Sequence, residues 1–149
     1  MTRRLLTATR WCRAEGVAGA GRLVLFGAST GAAAAIAAAA ESPDVVSAVV
    51  SRGGRVDLAA ARLPRVRAPS LLIVGEADIE TRRANREAAA RMTAPVSLRV
   101  VRGAGHTFEE SGALGQVGEL AAAWLARRYW IGRTRHWLGV SSAASAAGW

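Results

Sequence analysis

Ser29, Asp78 and His106 are the side chains of this sequence whose types and order could carry acyl-transfer chemistry. Ser29 stands in the run Leu23-Val24-Leu25-Phe26-Gly27-Ala28-Ser29-Thr30-Gly31, followed by alanines. That is a G-x-S-x-G pattern between an apolar strand and a helix, the context such a nucleophile turn requires. The physics is steric. A serine on a very tight strand-to-helix turn has strained backbone angles, and the residues two before and two after it crowd each other. Gly27 and Gly31 lack the Cβ atoms that would collide, and the small Ala32 to Ala35 let the helix press close to the sheet. The hydroxyl is then exposed at a helix N-terminus, where the dipole favours developing negative charge. The backbone N–H of Thr30 is one expected oxyanion donor.

A serine hydroxyl needs a base, and the base needs a carboxylate to fix its tautomer. Only His106 and His136 are available. His106 follows the last apolar strand pattern in the loop Gly103-Ala104-Gly105, on the same sheet edge as Ser29, while His136 reads as a solvated side chain in a tail. Asp78 follows Leu71-Leu72-Ile73-Val74-Gly75-Glu76-Ala77 directly. The order Ser, Asp, His is the one this topology uses. Plainer readings stand beside each assignment. Asp78 could cap the helix that follows, and Asp57 is a competing acid in what looks like a helix start. Glu76 and Glu80 are expected to be solvated, and Glu109 and Glu110 to begin the last helix.

The elements that must position these groups alternate. A helix is expected over residues 2–15, a strand over 22–26, a helix over 31–40, a strand over 45–51 and a short helix over 57–62. A strand over 70–75, a helix over 82–92, a strand over 96–102 and a helix over 113–129 follow. Strands alternating with helices imply a mostly parallel sheet with helices on both faces. Trp124 falls at helical spacing with Leu120, Ala121 and Leu125, a core position. Cys12 shares a helical face with Leu5, Ala8 and Thr9 and reads as a buried small hydrophobe. Residues 1–130 are expected to form one α/β domain, and 131–149, rich in Ser, Ala and Gly at the end, a disordered tail.

Composition narrows the function classes. The 149 residues suit a single domain, and about half are hydrophobic, which excludes a disordered chain. The net charge is +9, carried by twenty arginines and no lysine. These are scattered from Arg3 to Arg135 without a dense run or interleaved aromatics, so no nucleic-acid partner is expected. The single cysteine forbids an internal disulfide and points to a reducing cytoplasm. The uncharged stretch from Leu23 to Ala40 is broken by Gly27, Ser29, Thr30 and Gly31, so no membrane segment is expected. Two isolated histidines and one cysteine make no metal-ligand set, and no cofactor is expected. A dinucleotide-binding fold fails at Ser29, where the second glycine of G-x-G-x-x-G should stand, and at Arg52, where an acid should end the second strand.

Several runs together resemble one family. Phe26 to Ala34, Val49-Val50-Ser51-Arg52-Gly53-Gly54-Arg55, Leu71 to Gly75 with Asp78, and Gly103 to Glu110 look like dienelactone-hydrolase-type α/β-hydrolases, nearest to a bacterial group sometimes fused to a phosphoribosyltransferase domain. The resemblance implies a Ser29–Asp78–His106 triad with Thr30 at the oxyanion, acting on small-molecule ester or acyl substrates. Dienelactone hydrolase itself has cysteine at the elbow, where this chain has Ser29. The resemblance also implies further strands before the elbow strand, with a loop supplying a second oxyanion donor. The chain is thus expected to be the C-terminal half of the fold: a gene fragment, the product of a misplaced start, or one half of a complementing pair. Loss of one oxyanion donor commonly costs ~100-fold in rate. The strand before Ser29 would become a sheet edge open to self-association. The competing expectation is an inactive remnant that keeps the fold and binds a partner.

Overall fold

The computed structural model describes residues 2–16 and 23–129. The expected tail over 131–149, His136, and most of the glycine loop after the first helix lie outside the described residues. Four strands, β1 (Leu23–Ala28), β2 (Val46–Arg52), β3 (Ser70–Gly75) and β4 (Val96–Val101), form a parallel sheet in the order β1-β2-β3-β4. Helices α1 (Thr2–Ala14), α2 (Thr30–Glu41), α3 (Ile79–Arg91) and α4 (Ala113–Tyr129) alternate with them, and a 3₁₀ stretch over Val56–Arg65 links β2 to β3.

The central strands β2 and β3 are apolar runs because both of their faces are covered. In β3 the alternation sends Leu72 to one face and Leu71 and Ile73 to the other, all three fully buried. The first face packs against α2, the 3₁₀ stretch and α3, through Ala35, Ile36, Val56, Leu63 and Ala88. The second packs against α4 through Val117 and Ala121, with Phe108 wedged beside them. Burial leaves almost no polar face on α2, where Ala32 and Ala34–Ala40 are all buried. This is the pattern of a helix packed on several sides, here by α1, the 3₁₀ stretch and the sheet. Alanine suits that place because it lets backbones approach closely and still favours a helix.

The architecture is the expected α/β fold with a parallel four-stranded sheet flanked by helices, consistent with the C-terminal half of an α/β-hydrolase core. Three details differ from the sequence expectation. Helix α3 begins at Ile79, three residues before Arg82, because Asp78 caps it: its carboxylate accepts the N–H of Thr81 at 3.2 Å. The expected short helix over 57–62 is a longer 3₁₀ stretch that contains Pro64 and kinks at Ala59. Cys12 is only half-buried; the buried member of its face is Thr9, whose hydroxyl donates to the Leu5 carbonyl at 2.8 Å. Trp124 packs beside the second core cluster, as its spacing implied, and its Nε1 donates to Ser97 Oγ at 3.1 Å. Among the described residues no helix is long and apolar enough to cross a membrane.

Candidate active site

Because all four strands run the same way, their C-terminal ends share one rim. Ser29 follows β1 there, Asp78 follows β3 and His106 follows β4. Ser29 has φ +47° and ψ −123°, a region costly for any side chain, of order 1–3 kcal/mol. The surroundings fix it. Its N–H donates to the Arg52 carbonyl at 3.2 Å, and its own carbonyl accepts from Arg55 N–H at 2.9 Å and Ala32 N–H at 3.1 Å. A Cβ on Gly27 would lie 2.6 Å from Ala32 Cα and 2.7 Å from the Gly31 carbonyl oxygen, so the turn tolerates only glycine at that position. The steric reading of the motif holds at Gly27. At Gly31 the crowding involves its backbone carbonyl.

His106 joins the other two groups. Its Nδ1–H donates to Asp78 Oδ2 at 2.6 Å, which leaves Nε2 as an acceptor for the Ser29 hydroxyl at 3.4 Å. Asp78 is largely covered, while the His106 ring is 42 % exposed. Burial pushes the Asp78 carboxyl up, but the hydrogen bonds from His106 and Thr81 outweigh it and hold its pKa below the ordinary carboxylate value. The 3.4 Å separation is long for a hydrogen bond, as is common in catalytic pairs that tighten when substrate binds. Thr30 opens α2, so its N–H has no intrahelical acceptor and lies beside Ser29. Asp57, the competing acid, is occupied elsewhere. It pairs with Arg55 at 2.8 Å, and that hydrogen bond holds its pKa low against burial.

Other residues missed in the sequence hold the loop that carries His106. Glu76 Oε2 accepts the N–H of Gly103 at 2.9 Å, and Glu110 Oε1 accepts the N–H of Gly105 at 2.8 Å. Glu76 is exposed, as expected, and also pins the loop, whereas Glu110 precedes α4, which starts at Ala113. Asn85, fully buried on α3, donates to the carbonyls of Thr81 and Gly54, both at 2.8 Å. It ties the capped end of α3 to the turn after β2. These are contacts between a side chain and a backbone group, two of them far apart in the chain, and they leave no periodic signal in a sequence. Among the described residues no three His, Cys, Asp or Glu side chains gather as a metal site would require.

A parallel sheet with a serine on a strained strand-to-helix turn, and an acid and a histidine from later strand ends converging on it, defines an α/β-hydrolase. The model of the dienelactone hydrolase family matches residues 1–134, and the chain belongs to that family. A dienelactone hydrolase of Anabaena variabilis is 44% identical with a TM-score of 0.80, over 85% of this chain and 58% of that one. A CIB-like hydrolase of Thermoplasma acidophilum, 22% identical, shares the fold with a TM-score of 0.68 over 85% of this chain and 60% of that one. Two Mycobacterium tuberculosis proteins, from strains H37Rv and CDC 1551, are 47% identical over 121 residues, and each carries a phosphoribosyl transferase name. The chain spans 27% of the length of those two relatives, matched over 81% of its own.

Proposed function

We propose that this chain carries the nucleophile, acid and base of a serine hydrolase acting on ester or related acyl substrates. The observation that carries the reading is the continuous relay from Ser29 Oγ through His106 to Asp78, at 3.4 and 2.6 Å. In this mechanism Ser29 Oγ attacks the acyl carbonyl while His106 Nε2 takes its proton. The imidazolium is stabilised by Asp78, and the carbonyl oxygen, now negative, accepts from Thr30 N–H. Collapse of the tetrahedral intermediate expels the leaving group, protonated by His106, and leaves an acyl-Ser29 ester. Water, deprotonated by the same imidazole, then releases the acid and restores the serine.

The substrates follow from family membership and are part of the proposal, as is self-association along the outer edge of β1. A fluorophosphonate probe tests the reading directly. It is expected to label the folded chain at Ser29, and Ser29→Ala to abolish labelling. A folded chain that resists the probe would support the alternative, an inactive half that retains the fold to bind a partner.

A further inference from the structure

Arg52 is the last residue of β2, in register with Ala28 on one side and Ile73 on the other. Its backbone carbonyl accepts the N–H of Ser29 at 3.2 Å, which extends the β1–β2 ladder one step into the nucleophile turn. Its side chain reaches the other way. Nη1 donates to the carbonyl of Thr107 at 3.2 Å, and the guanidinium carbon lies 5.6 Å from the centre of the Phe108 ring. Phe108 is buried and has φ +59°, so the chain turns sharply just after His106. We propose that Arg52 is a positioning residue for the hydrolytic site, fastening the loop that bears the base to the turn that bears the nucleophile. The inference rests on the serine-hydrolase reading of that site.

Three features of the geometry support it. Both neighbours of His106 are held: Gly105 by Glu110, and Thr107 by Arg52. Only the second of these tethers leads back to Ser29. The Ser29–His106 separation of 3.4 Å leaves little slack, because hydrogen bonds weaken steeply with further lengthening. Arginine also suits the position chemically. Its planar, always-charged fork can lie near an aromatic ring and donate to a carbonyl in its own plane, which a lysine ammonium cannot reproduce in full. Among the described residues Arg52 has no carboxylate partner, so this loop is the attachment its charge finds.

The test uses the full chain and two readouts: the rate of Ser29 labelling by a fluorophosphonate, and the ring ¹⁵N shifts of His106, which report its tautomer. Arg52→Met keeps an apolar stem near Phe108 and removes the donor. It is expected to slow labelling roughly ten-fold, the scale of one charge-assisted hydrogen bond, and to move the His106 shifts toward a mixture of tautomers. Arg52→Lys, which keeps the charge on a side chain one bond shorter, is expected to label faster than Arg52→Met and slower than the parent. A folded Arg52→Met protein with the parent rate and shifts overturns the proposal. If that variant does not fold, Arg52→Gln, whose amide is too short to reach Thr107, is read the same way. If the parent chain itself is not labelled, the hydrolase reading fails, and the His106 shifts still decide: altered in the variant they support the tether, and unaltered they refute it.

Discussion

Asp78 performs two tasks with its two oxygens. Oδ1 accepts the Thr81 N–H and starts α3, and Oδ2 receives the His106 ring. Substitutions separate the tasks. Asn is as good a helix cap as Asp, so Asp78→Asn should keep the cap and lose, at neutral pH, only the stability tied to the lowered carboxyl pKa. It replaces the carboxylate that selects the His106 tautomer, and labelling of Ser29 should fall by about 10³–10⁴-fold. Asp78→Ala should show the same loss of labelling and also lose about 1 kcal/mol of stability. Equal stability of the Asn and Ala variants in urea would refute the capping role. The pH dependence has a definite sign. The folded-state pKa of Asp78 is lowered, so its contribution is complete above the unfolded value, about 3.9. It is lost as pH falls through the lowered value. Melting curves between pH 6 and pH 2 should therefore lose less stability on acidification for Asp78→Asn than for the parent.

At the level of elements, the strands were legible as short, largely apolar runs near Gly or Pro; β3 and α4 fall where the pattern puts them, while β1 runs through Gly27 to Ala28, two residues past its expected end. The start of α3 was misplaced because one aspartate both caps the helix and meets His106, and the sequence offered these as rival readings. The 3₁₀ stretch was underestimated because Pro64 ends an ordinary helix but is tolerated in this tighter, kinked segment. The convergence of Ser29, Asp78 and His106 was legible because each follows a strand end, where topology alone places it. The pins Glu76, Glu110 and Asn85 were not, since nothing in their local pattern indicates which backbone group they meet. Glycines offer a test with opposite signs. At the end of β3, a Cβ on Gly75 would collide with the carbonyl oxygens of Ala104 and Gly105. Gly75→Ala must displace the loop leading to His106, and should cost about 1–3 kcal/mol, as overpacking does, together with Ser29 labelling. Gly115 lies in α4, where an added Cβ would meet nothing within 4 Å. Gly115→Ala should raise stability by up to about 1 kcal/mol through helix propensity, with labelling unchanged. Urea denaturation of both variants checks the pair.

For the molecule as a whole, the coverage of the sheet is uneven. Helix α4 lies over β3 and β4, while at β1 the same face carries Val24 and Phe26, and Phe26 is 56 % exposed. Among the described residues β1 pairs only with β2, so its outer backbone groups form an open template for another strand. An aromatic side chain standing beside such an edge is an association hazard. The net charge of +9 opposes it, because copies of the chain repel one another. The two effects respond differently to salt. Repulsion between exposed charges is screened over about 10 Å at 0.1 M, whereas strand pairing and burial of Phe26 are not weakened. Self-association of the chain should therefore increase as salt is raised from about 20 to about 300 mM. Phe26→Lys places a charge on the exposed face, as natural edge strands do. It should suppress association at every salt concentration while shifting the urea midpoint little, because the ring is already more than half in water. Sedimentation velocity of the two proteins across that range measures both effects, and an association indifferent to both salt and Phe26→Lys would place the contact away from β1.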